Sequence, residues 1–273
     1  MRFRSAAAAL TSAVLTGVAV TTAALLAAPA ASAADTASAA DVGTQVIGGR
    51  PATERYEFMT AFQLNGAFRC GGSLVARDWV VTAAHCFARR EADGSVVPIS
   101  TEGLTARVGS HDWTTGGSQA RVTEIVLNPE LGLGRGDLAL LRLDHPVRQR
   151  PIRIAAASGA PGTVTRVLGW GRTSEDSPEK SQWLRELDTR IVPDEQCGDI
   201  FDPASTLCTE GVLPGTNACD GDSGGPQLQR GADRRWELVG ATGGPADDDG
   251  RCGTGFGYWT DVTAYRDWIE HTV

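Results

Sequence analysis

The stretch Gly221-Asp222-Ser223-Gly224-Gly225-Pro226 sets a single serine among glycines, with an aspartate directly before it. Glycine on both sides of the Asp-Ser pair permits a tight turn that leaves the hydroxyl exposed and points backbone N–H groups at one spot. Converging N–H groups stabilise a developing oxyanion, by about 3–4 kcal/mol per donor. A serine hydroxyl is a poor nucleophile by itself, so the turn carries chemistry only if a base sits beside it. Read alone, such a turn is more often just a turn.

Four histidines are available as that base: His85, His111, His145 and His271. His85 lies in Thr82-Ala83-Ala84-His85-Cys86, where it ends a β-rich run and is fixed by the adjacent cysteine. His111 and His145 fall in polar, turn-like contexts, and His271 is near the C-terminus. The acid that orients such a base is buried and next to its ring. Asp137 precedes the apolar run Leu138 to Leu143 and so belongs at a strand mouth, whereas Asp144 lies at the far end of the same run.

Together, the three stretches Thr82-Ala83-Ala84-His85-Cys86, Asp137-Leu138-Ala139-Leu140-Leu141 and Gly221-Asp222-Ser223-Gly224-Gly225-Pro226 resemble the active-site motifs of the trypsin/chymotrypsin family, in that family's order. Cys70-Gly71-Gly72-Ser73-Leu74 and Leu168-Gly169-Trp170-Gly171 extend the resemblance over Val46 to Val273. It implies an all-β fold of two six-stranded antiparallel β-barrels with a C-terminal α-helix. It further implies a secreted serine endopeptidase with Ser223 as nucleophile, His85 as base and Asp137 as orienting acid. The N–H groups of Gly221 and Ser223 would form the oxyanion hole. The implied disulfides are Cys70–Cys86, Cys197–Cys208 and Cys219–Cys252. No metal or organic cofactor is needed.

The same resemblance covers activation. Val46-Ile47-Gly48-Gly49 is similar to the family's mature N-terminus. Cleavage after Gln45 would free the Val46 ammonium to bury itself against Asp222 and order the oxyanion turn. Relatives commonly carry Arg or Lys where this chain has Gln45, so the expected partner is an activating protease of different specificity.

The pattern departs from the family at the substrate pocket. The position six residues before the nucleophile, an Asp in trypsin-like relatives, is Asn217. An amide offers no charge, so strong selection for Arg or Lys is not expected. Gly257, in Gly257-Tyr258-Trp259-Thr260, would line the pocket wall. Gly243-Gly244-Pro245 stands where relatives show Ser-Trp-Gly, in a segment that pairs with substrate, and Pro245 has no N–H to donate. Asp220 and the run Asp247-Asp248-Asp249 put negative charge near the pocket rim.

The remainder of the chain agrees with export. Arg2 and Arg4, an Ala/Val/Leu-rich run from Ala6 to Ala28 and the small-residue pattern Ala31-Ser32-Ala33 read as a signal peptide over residues 1–33. Residues 34–45 read as a short propeptide, and 46–273 as the protease domain. Six cysteines behind a signal predict three disulfides, although spacing alone leaves 15 pairings open. No C-x-x-C pair supports zinc.

Short strands recur at Gly72–Ala76, Trp79–Ala83, Leu104–Val108, Arg121–Leu127, Leu138–Leu143, Thr163–Leu168, Glu186–Val192, Trp236–Thr242 and Gly257–Val262. Taken alone they suggest a sandwich or a barrel. Only Val262–His271 has a helical face. The formal net charge of −8 argues against nucleic acid as a partner. The expected partners are protein or peptide substrates and proteinaceous inhibitors, and the protein is expected to be a monomer with no membrane attachment after signal cleavage. The competing readings are a catalytically silent binding protein on the same fold, and an esterase. The latter's α/β-hydrolase architecture has the order Ser-Asp-His and alternating helices, neither of which is found here.

Overall fold

The computed structural model describes residues 46–273 apart from 132–134, 175, 177, 199–201, 246–251 and 253–254. The signal and propeptide expectations, Gln45 and Asp247 to Asp249 lie outside the described residues.

Twelve strands form two closed antiparallel barrels. The first contains β1 (Met59–Leu64), β2 (Ala67–Ala76), β3 (Trp79–Thr82), β4 (Leu104–Val108), β5 (Ser118–Leu127) and β6 (Ala139–Leu143). Around the barrel they run β1-β2-β3-β6-β5-β4, and β4 closes on β1. The second contains β7 (Val164–Gly169), β8 (Arg185–Ile191), β9 (Thr206–Gly211), β10 (Pro226–Arg230), β11 (Trp236–Pro245) and β12 (Gly257–Asp261). Its order β8-β7-β10-β11-β12-β9, closed by the β8–β9 pairing, repeats the connectivity of the first. Arg50–Pro51 adds a two-residue strand to β8. A 3-10 turn leads into helix α1 (Arg266–Thr272).

Alternation explains part of the strands read from sequence, β-rich composition the buried β3, and a short apolar run β6. In β4, Leu104, Ala106 and Val108 are buried while Thr105 and Arg107 are half-exposed. Strands β1, β9 and β10 carry no such signal. All of β1 but its last residue is buried on both faces, and β10 starts on a proline. The first barrel's core, including Phe62, Leu74, Phe87 and Leu140, continues into Leu168, Trp170, Leu228 and Leu238 of the second half. The second barrel also holds a smaller cluster around Val167, Leu207, Val239 and Trp259.

The chain reaches the first barrel by crossing the second, and Glu186 pins the crossing. This fully buried carboxylate on β8 accepts hydrogen bonds from Arg50 Nε, Thr53 N, Thr53 Oγ1 and Tyr56 OH, and pairs with Arg166 at 3.2 Å. A buried charge needs this many partners to be tolerated. Desolvation raises its proton affinity, but those hydrogen bonds and Arg166 outweigh it and hold the carboxyl below its ordinary range.

Candidate active site

Strand register brings the first two site residues together. Thr82 on β3 pairs with Ala139 on β6. His85, three residues after the first, and Asp137, two residues before the second, therefore leave the same end of the barrel. A single 3-10 turn, Ala84–Cys86, aims His85 back at Asp137. The Asp137 carboxylate grips His85 twice: Oδ1 accepts the backbone N–H at 2.8 Å, and Oδ2 lies 2.7 Å from Nδ1. An ionised carboxylate can only accept, so the ring proton sits on Nδ1 and leaves the Nε2 lone pair free. Thr260 of β12 donates to the Asp137 carbonyl at 3.3 Å, which ties the second barrel to this acid. Desolvation lowers the proton affinity of His85, but the hydrogen bond and charge of Asp137 overcome it, and the pKa is raised above its ordinary value.

Ser223 arrives from the second barrel, in the turn before β10. Hydrogen bonds from Asp222 N to Cys219 O and from Gly225 N to Asp222 O, both 2.9 Å, coil the turn tightly. Gly71 N of the first barrel donates to Ser223 O at 2.9 Å and fixes the turn across the interface. Gly221 has φ +97°, a backbone region that other residues rarely occupy. Ser223 and His85 line the same two cavities.

Asp222 points inward from this turn and is fully buried. Gly171 N donates to Oδ1 at 2.8 Å and Cys219 N to Oδ2 at 2.9 Å. Burial outweighs these two bonds, and its pKa is pushed up to about 7. Asp222 has no ion pair among the described residues. Val46 is fully buried too, and Asn217 N donates to Ile47 O at 3.1 Å. Ile47 packs with Cys219 and Cys252, so the segment beginning at Val46 is one residue removed from the groups that hold Asp222. Gly48 has φ +83°, and a Cβ there would fall inside the Thr216 side chain, 2.0 Å from Cγ2. Only glycine fits.

The smaller cavity, about 350 Å³, is walled by Ala218 and Cys219 on one side and Thr242, Gly243 and Gly244 on the other. Two residues of the expected wall, Gly243 and Gly244, line this cavity, and the backbone of Pro245 is paired with Gly257. Asn217 lies behind the wall, 2% exposed, with Nδ2 donating to Gly255 O at 3.1 Å and Oδ1 accepting from Ala218 N at 2.8 Å. Its amide is therefore held by the protein at both ends. Gly257 faces Asn217 and the ring of buried Trp259, whose Nε1 donates to Thr242 Oγ1 at 3.2 Å. Tyr258 lays its ring over Gly243. The roles of Thr242, Tyr258 and Trp259 were not read from sequence, although Tyr258 and Trp259 sit in the same alternating strand as Gly257.

The disulfides join Cys70 to Cys86, Cys197 to Cys208 and Cys219 to Cys252. The first braces the His85 turn, and the third braces the cavity wall. Each contributes about 2–4 kcal/mol. Among the described residues no group of three or more His, Cys, Asp or Glu could hold a metal ion, and no helix is long and apolar enough to cross a membrane.

Comparison with known proteins adds family context. The trypsin family profile matches residues 46–269. Human kallikrein-14 is 32% identical over 246 residues, covering 84% of each chain. Mouse serine protease 56 is 32% identical over 243 residues, covering 83% of this chain but 38% of that longer protein. Among solved structures, human heparin binding protein superposes with a TM-score of 0.67 at 25% identity, over 82% of this chain and 95% of that one. Mouse neuropsin, described as a serine protease, gives 0.69 at 23% identity, over 82% and 98%, a likeness that bears on the fold alone.

Proposed function

The chain belongs to the trypsin family of serine-type endopeptidases, and from that premise we propose that Ser223, His85 and Asp137 hydrolyse peptide bonds through an acyl-enzyme, in a secreted protein activated by cleavage after Gln45. The observation that carries this reading is the double hydrogen bond of Asp137 to His85 beside the cavity that Ser223 shares. With Nδ1 protonated, Nε2 takes the serine proton as Oγ bonds to the scissile carbonyl carbon. The N–H groups of Gly221 and Ser223 receive the negative oxygen. Collapse breaks the C–N bond, and Nε2 hands its proton to the leaving amine. Water then repeats the sequence on the ester and restores Ser223.

Activation in this reading uses Asp222. A buried carboxylate with only two N–H donors is poorly compensated. The ammonium created at Val46 supplies the missing charge and holds the oxyanion turn. Because the bond follows Gln45, the activating protease is one that does not require Arg or Lys there.

Heparin binding protein shows that a relative on this fold can be described by what it binds. The gripped, correctly oriented His85 favours the enzyme for this chain. Labelling with a fluorophosphonate probe tests it: the matured protein is expected to label, and both Ser223→Ala and the uncut chain are expected not to. An unlabelled mature protein would refute the reading.

Neutral Asn217, held at both ends, supports cleavage after uncharged residues. In a peptide-library profile the mature enzyme is expected to cut after neutral side chains, and Asn217→Asp to raise Arg and Lys cleavage at least about tenfold. Cleavage confined to Arg and Lys sites in the unaltered enzyme would count against it.

A further inference from the structure

A second, larger cavity of about 570 Å³ opens from Ser223 and His85 on the side of the Cys70–Cys86 disulfide. The Thr242–Gly244 wall belongs to the smaller cavity, and by the family resemblance this substrate-pairing segment serves the acyl half of a substrate. The larger one is therefore left for the half that departs with the amine. Its charged lining is Arg69, Arg172, Lys180 and Asp220. Asp220 is already engaged, pairing with Arg172 at 3.1 Å. Arg69 and Lys180 have no carboxylate partner among the described residues.

Both cations are held in place. Arg69 Nε donates to Cys86 O at 2.5 Å, which sets the guanidinium beside the His85 turn, and its charge reaches His85, whose proton affinity it lowers. Lys180 is the only lysine in the chain. Its Cδ and Cε lie 3.1 Å from where a Cβ on Gly221 would stand, and its Nζ is 5.5 Å from the Phe68 ring centroid. Phe68 and Pro178 add apolar surface to the same cavity, suited to the methylenes of a side chain.

Resting on the endopeptidase reading above, we propose that this cavity selects a carboxylate in the leaving-group half of the substrate, bound by Arg69 and Lys180. A Glu or Asp side chain within two residues after the scissile bond, or a chain end at that distance, supplies the same group. Two partly exposed charge pairs together correspond to about a tenfold preference, weakened by salt.

The test compares kcat/KM of the mature enzyme for quenched peptides amidated at the C-terminus and differing only in Glu or Gln at the first or second position after the scissile bond. The Glu/Gln ratio is expected near tenfold at low ionic strength and to shrink at about 0.5 M salt. It falls to about threefold in Arg69→Gln or Lys180→Met, and to about one in the double variant. Lys180→Met keeps the stem against Gly221 and removes only the charge. Because each ratio is internal to one enzyme, a poorly folded variant does not mimic the result. A flat ratio in the unaltered enzyme, for both acidic peptides and peptides ending in a free carboxylate two residues on, overturns the proposal. So does a ratio that survives the double variant. Preference for the free chain end alone assigns the carboxylate to the terminus. Fluorophosphonate labelling of the same preparations reads the hydrolase assignment separately, so a labelled enzyme with a flat ratio sinks only the carboxylate.

Discussion

Asp137→Asn is expected to lower kcat about 10⁴-fold with little change in KM. The reason lies in the two bonds that Asp137 makes. Both are accepted, one from His85 N and one from Nδ1. An Asn offers one acceptor and one donor. If its NH₂ faces the backbone N–H, two donors collide and a bond is lost. If its NH₂ faces Nδ1, that nitrogen must accept, and the ring proton moves to Nε2. The histidine then cannot take the Ser223 proton. The pH profile carries a second signature. Activity rises as His85 loses its proton, and Asp137 raises the pH at which that happens. The acid limb of kcat/KM is therefore expected to move to lower pH in Asp137→Asn. A limb that stays in place, or a loss below about tenfold, would mean that Asp137 does not orient His85.

Asp222→Asn is expected to act in opposite directions before and after maturation. In the uncut chain Asp222 has a pKa of about 7, raised by burial above its ordinary 3.8. Between these values the folded chain holds a proton that the unfolded chain releases. The stability linked to this group is complete below about pH 4 and lost as pH rises through about 7, and the difference between the two pKa values corresponds to about 4 kcal/mol. Urea unfolding of the uncut chain from pH 4 to 8 is expected to show this decline, and Asp222→Asn to flatten it. In the mature enzyme of the proposed activation, the Val46 ammonium would lose its partner in the same variant. The oxyanion turn is then no longer held, and kcat/KM is expected to fall about 10²- to 10³-fold, the cost of one oxyanion donor. Equal pH slopes in the two uncut chains, or near-normal mature activity, would remove Asp222 from the activation step.

Much of the fold was legible because half-buried strands alternate. Leu104–Val108 was readable from its alternation, and Trp79–Thr82, buried throughout, from its run of aromatic and β-branched residues. Met59–Leu64, Thr206–Gly211 and Pro226–Arg230 were not, since a strand buried on both faces or begun by proline shows no period of two. The consecutive small residues Thr242-Gly243-Gly244 likewise leave no side-chain pattern to set a register, and a bulge between Thr242 and Gly244 shifts their pairing.

The turn around Ser223 shows where the division lies. Sequence by itself determined the candidate Ser223, His85 and Asp137, their order along the chain, and the neutrality of Asn217, because these depend on side-chain identity. Tertiary structure alone decided that Asp137 grips His85 at two points, that Asn217 turns its amide inward to Gly255, and that Arg69 and Lys180 face one cavity from opposite barrels. These are relations between residues distant in the chain. They are set by strand register and by the packing of Gly71 against the Ser223 turn, and no local pattern encodes such distances.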